Sequence, residues 1–139
     1  MAAASGLELV APDERDPLYF EYEISPLGRG LPILIPNLDG RFPGWGPWHY
    51  GGEGRVKHAA SVTGGPQQPG ATITGWRGEF MIPYALLTPL RNVPPSRGTG
   101  WRANFYRVDH DGGRPISWDW ARVGGSFHEF RKFGTLIFE

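Results

Sequence analysis

The residues with the most chemistry in them lie between Trp101 and Trp120, in WRANFYRVDHDGGRPISWDW. Arg102 and Asn104 stand two apart, and so do Trp118 and Trp120. A guanidinium and an amide at alternate positions can bond hydroxyls or carboxylates, and paired indoles offer flat apolar faces for stacking. Glu21 and Glu79 could join Arg102 and Asn104 on one polar sheet face. The competing reading makes Glu79 and Arg102 a cross-strand ion pair that fixes register, with Glu21 solvated. As paired carboxylates, Glu21 and Glu79 could be imagined as a glycosidase acid and nucleophile. Nothing in the sequence suggests a raised pKa there, and a neighbouring Arg would lower one. GxSxG, HExxH, P-loop and Rossmann patterns are absent.

Other candidates carry a plainer explanation beside the functional one. Trp118 and Trp120 more often mean core than a platform. Trp45, Trp48 and Tyr50 lie in a Gly-rich loop, where strand packing explains large aromatics less easily. His128, next to Phe127, could bond a ligand, although a histidine satisfied by backbone is commoner. Asp109, His110 and Asp111 have oxygen ligands suited to calcium, but turn chemistry accounts for them without a metal. Met81 with Lys132 or His128 is the conceivable axial pair for haem, and ordinary packing explains Met81.

The elements that must position these groups read as strands. Trp101 to Val108 alternates, with Trp101, Ala103, Phe105 and Arg107 on one face and Arg102, Asn104, Tyr106 and Val108 on the other. The first face should anchor a core and the second should present a surface. Asp109 to Gly113 supplies a turn, and Arg114 to Trp120 returns as a second arm, with Pro115 at its start or on an edge. GLELVA (Gly6–Ala11) and LYFEYEIS (Leu18–Ser25) predict a hairpin. Further strands are predicted at Leu31–Ile35, Arg55–Thr63, Ala71–Ile82 and Phe133–Phe138, with one helical turn within Pro83–Leu90.

Composition sets the outer bounds. A chain of 139 residues fits one domain, residues 1–139. A net charge of zero gives no footprint for nucleic acid, and no apolar run reaches membrane-spanning length. There is no cysteine, hence no disulfide framework and no thiolate metal site. Glycine and proline make about a quarter of the chain, near the level of disordered sequences. Against that stand 6 Trp, 5 Tyr and 8 Phe, ample for a packed core. Short strands joined by punctuated loops, an all-β fold, satisfy both facts.

Five segments in order resemble the family 9 carbohydrate-binding modules: YFEYEISP (Tyr19–Pro26), GWRGEFMIPYALL (Gly75–Leu87), GWRANFYRVD (Gly100–Asp109), ISWDW (Ile116–Trp120) and FHEFRKFGTLIF (Phe127–Phe138). The resemblance implies an antiparallel β-sandwich of jelly-roll type, incomplete at the N-terminus, since family members have strands before the one resembling GLELVA. An open sheet edge would then invite self-association. It also implies a non-catalytic carbohydrate-binding role towards plant-type poly- or oligosaccharide, with no cofactor beyond possible calcium. An extracellular or periplasmic location follows by the same resemblance, and this chain carries no signal peptide. Two family aromatics clamp a sugar ring, and Phe127 matches one of them. The other lies upstream of the GLELVA match, a segment this chain lacks. A family Glu matches Glu8. Glu21 stands where the family has Arg, and Gly124 where it has Asn. The expected site is therefore Phe127 and a Trp (118 or 120) stacking on the sugar, with Glu8, Glu79, Arg102 and Asn104 bonding hydroxyls and His128 beside them.

Overall fold

The computed structural model describes residues 4–10, 18–36, 46–48, 51–88 and 90–139, with backbone alone for 4–10 and 47. Trp45 and Tyr50 lie outside the described residues. Among the described residues nine strands form: β1 (Ala4–Val10), β2 (Leu18–Ile24), β3 (Gly30–Pro36), β4 (Gly46–Pro47), β5 (Lys57–Thr63), β6 (Gly75–Met81), β7 (Gly100–Asp109), β8 (Ile116–Asp119) and β9 (Gly134–Ile137). All pairings are antiparallel. Seven strands make one sheet in the order β4-β3-β2-β1-β7-β8, with β9 also on β7. β5 and β6 pair only with each other, as a separate hairpin sheet. The helical turn expected near Pro83 is a 3-10 turn over Tyr84–Leu87.

The large sheet is buried on both faces, and the two faces follow from the alternation. Phe20, Tyr22, Ile24, Trp101 and Ala103 point into one core with Leu86, Leu87 and Leu90. Trp76 and Phe80 of the β5–β6 hairpin pack against that core, so the hairpin forms the second layer of an antiparallel sandwich. Tyr19, Ile33, Ile35 and Tyr106 point the other way, into a second core closed by Phe130 and Phe133. The segment between β8 and β9 is the lid of that core. β2 is buried along most of its length, which is why both of its faces carry aromatics. Each fully buried aromatic contributes on the order of a few kcal/mol of burial.

This layering corrects three expectations. Glu79 and Arg102 do not share a surface. Glu79 lies on β6, paired in register with Ala59, whereas Arg102 lies on β7 between Val10 and Thr135. The face of Asn104 and Tyr106 is no open binding surface: Asn104 is fully buried and Tyr106 nearly so. The reason is the 121–133 segment, whose own aromatics need that face to bury against. Conversely Phe105, assigned to a core by alternation, is 41% exposed.

Candidate functional site

β7 and β8 place Trp118 opposite Arg107, and Ile116 opposite Asp109. One step further, the Trp120 amide donates to the Phe105 carbonyl at 3.0 Å. The side chains of this hairpin on the sandwich face are thus Phe105, Arg107, Asp109, Ile116, Trp118 and Trp120. They lie at the uncovered end of that face. Trp118 and Trp120 are 50% and 54% exposed. The strand rise puts their Cα atoms roughly 7 Å apart. The expectation that such a pair belongs to a core is overturned here.

Both indoles are held from behind. Phe105 meets the Trp120 ring edge-on, with centroids 5.6 Å apart and planes at 70°. Beneath Trp120 lies Gly134 of β9: a Cβ there would sit 2.5 Å from Cζ3 and 2.8 Å from Cη2 of the indole. The missing side chain is what lets the ring lie against the sheet. Trp118 is backed by Arg107, whose guanidinium carbon lies 5.8 Å from the Trp118 ring centre and 6.0 Å from that of Trp76. Arg107 thereby ties the two layers together by cation–π contact. Its Nη2 lies 3.8 Å from Oδ2 of Asp109. The other carboxylate oxygen of Asp109 accepts the Asp111 amide at 2.9 Å, so the Asp109–Asp111 run is a turn.

Gly134→Ala gives an expected result. The methyl must move the Trp120 ring, an exposed group with room to swing, so stability should change by about 1 kcal/mol or less. The indole should leave its seat, seen as a shift of its side-chain N–H resonance. An unmoved resonance would show that Gly134 does not set the ring.

The remaining expected site residues lie elsewhere. Asn104 uses its amide internally: Nδ2 donates to Tyr106 Oη at 2.7 Å and to Ala121 O at 2.8 Å. Its Oδ1 accepts the amides of Phe105 at 3.0 Å and Ala121 at 2.8 Å. Arg102 donates from Nη1 to the Arg131 carbonyl. Phe127 is half-buried on Tyr106, ring centres 4.3 Å apart, and its carbonyl accepts the Tyr106 hydroxyl at 2.9 Å. His128 Nδ1 shares a hydrogen bond with the Tyr19 hydroxyl, and burial lowers its pKa. Glu8 falls in register between Glu21 and Asn104, and its side chain is outside the described residues. Asn104, Arg102, Phe127 and His128 do come together, but on the lidded face.

Trp118 and Trp120 lie on the opposite face of the sheet from Phe127, so Phe127 and a Trp cannot clamp one sugar ring. The same geometry separates Glu21 from Glu79, and Met81 from His128 and Lys132, removing the imagined glycosidase and haem pairs. Among the described residues, no three His, Cys, Asp or Glu side chains converge on a metal position.

The lid itself is pinned by Glu129. Its carboxylate takes the Lys132 ammonium at 2.9 Å and the amides of Gly124 and Gly125 at 2.6 and 3.1 Å. The Lys132 bond, then those two amides, lower its pKa to about 2. A depressed carboxylate stabilises the fold above its unfolded value of 4.5, and that contribution is lost as pH falls towards 2. The Gly124 and Gly125 amide resonances should therefore shift with a midpoint near pH 2, and Glu129→Gln should abolish the transition. A midpoint at an ordinary carboxylate pKa would contradict the assignment.

Arg107, Phe105 and Gly134 were not singled out as site residues by sequence reasoning. Hairpin register could have found the first two, since Phe105 and Arg107 fall on the same face as Trp101, and the turn places the tryptophans across from them.

The sequence matches no protein-family model and no curated protein. A crystal structure of a candidate carbohydrate-binding protein from Bacteroides uniformis ATCC 8492 is similar. The superposition has a TM-score of 0.70 at 25% identity. It covers 99% of this chain and 61% of that one, so this chain spans less than two thirds of its neighbour.

Proposed function

We propose that this chain is a non-catalytic carbohydrate-binding domain whose ligand stacks on Trp118 and Trp120. The observation that carries the reading is that pair of half-exposed indoles, two residues apart at the end of β8 and each backed by the protein. The fold likeness to a candidate carbohydrate-binding protein supports it. The C–H face of a pyranose packs well on an indole, while its hydroxyls need directional partners. Arg107 and Asp109, on the same hairpin face, supply a donor and an acceptor beside the rings. A platform rather than a cleft suits an extended chain over a single small sugar. The family 9 assignment and the plant-type ligand remain part of this proposal, unsupported by any family model.

Calorimetric titration with soluble glucans and xylo-oligosaccharides tests it. Saturable heat at up to millimolar sugar is expected; silence across the set would retire the reading. The second reading makes the same face a contact for another copy of the chain, and the exposed Ile116 favours it. Light scattering separates the two: a monomer that binds sugar supports the first, and a tight dimer indifferent to sugar supports the second.

A further inference from the structure

Resting on the carbohydrate reading, we propose that the ligand is an acidic glycan, with a uronate-type carboxylate bound by Arg107 while neighbouring sugar rings stack on Trp118 and Trp120. The guanidinium sits at the head of the aromatic strip, directly opposite Trp118 in the β7–β8 register. Its central carbon lies 6.0 Å from the ring centre of Trp76 and 5.8 Å from that of Trp118. A guanidinium placed beside the indoles can offer two parallel hydrogen bonds to a carboxylate, the geometry that arginine, unlike lysine, supplies.

Its charge is poorly matched by what surrounds it. Nε is buried and has no hydrogen-bond partner among the described residues. Among the described residues the acid beside it is Asp109, at 3.8 Å, longer than a hydrogen bond. Still, 43% of the Arg107 side chain remains exposed beside the tryptophans. Phe105, Ile116, Trp118 and Trp120 share the face and carry no charge. A ligand lying along them meets stacking surface and one cation, with the Asp109 carboxylate 3.8 Å from it. Neutral hydroxyls could accept from that cation, but a carboxylate gains far more from it. The chain has no net charge, so long-range attraction is not the source of the preference.

The test compares wild-type protein on polygalacturonate and on its fully methyl-esterified form, by calorimetry at low and high salt. Both polymers offer the same rings, and one lacks the carboxylates. The acidic form should bind at least about tenfold more tightly at low salt, from one charge-assisted contact. The gap should close at molar salt, where screening is nearly complete. Arg107→Gln should erase the preference, leaving the acidic polymer bound no more tightly than the ester. Equal affinity for the two polymers at low salt would overturn the proposal and leave the carbohydrate reading intact. A preference that survives in a folded Arg107→Gln protein would also overturn it. Failure to bind either polymer, together with failure on glucans and xylo-oligosaccharides, would remove the underlying reading and this one with it.

Discussion

Trp118→Ala and Trp120→Ala should each weaken glycan binding by about 30-fold, the effect of losing a tryptophan hot spot of about 2 kcal/mol. Each indole is the flat surface on which a ring would lie, and no other described side chain on that face could replace it. Stability should fall much less than in a core substitution, because both rings are already half in water. Trp120 forfeits its edge contact with Phe105. Trp118 forfeits one side of the Arg107 stack, worth about 1 kcal/mol. Calorimetry beside a thermal melt checks both halves. Unchanged affinity in both variants would move the binding surface elsewhere.

Asn104→Ala should do the reverse. The substitution takes their Asn104 partner from two amide N–H groups and one carbonyl in a largely buried region, and removes one of the hydrogen bonds of the Tyr106 hydroxyl, which still donates to the Phe127 carbonyl. At about 1 kcal/mol or more for each orphaned group, the loss is on the order of 3–5 kcal/mol. Asn104→Asp keeps the two acceptor roles but loses both donors, and it buries a charge or a proton, so it should not rescue. Denaturant unfolding reads the loss. The affinity of the folded fraction should stay as in wild type, since Asn104 is sealed under the lid. A folded, stable Asn104→Ala with lost sugar binding would restore it as a ligand residue and contradict the placement.

These two residues also show how far the sequence could be read. Alternation correctly assigned the strands and their two faces, because side-chain period in a strand is a local property. It could not say which face a later segment would cover. Asn104 reads as a polar surface group until residues 121–133 fold back over it, and that return is a long-range event. The Trp118 and Trp120 pair reads as core for the complementary reason. Large aromatics usually find cover, and the periodicity of a strand does not say that these two stay half in water. Glu79 and Arg102 fail as neighbours because the pattern of polar and apolar residues does not state which strand pairs with which. Gly134 is silent in sequence, since its role is the absence of a side chain under another residue.

The most direct measurement follows the indole N–H resonances while sugar is added. Trp48 Nε1 donates to Leu86 O at 2.7 Å and Trp101 Nε1 to Asn92 O at 3.3 Å, so both are internal references. Saturable shifts at Trp118 and Trp120, with Trp48 and Trp101 still, are the expected result. Shifts that centre instead on Phe127 and His128, with both exposed indoles unmoved, would contradict an aromatic platform on the β7–β8 hairpin.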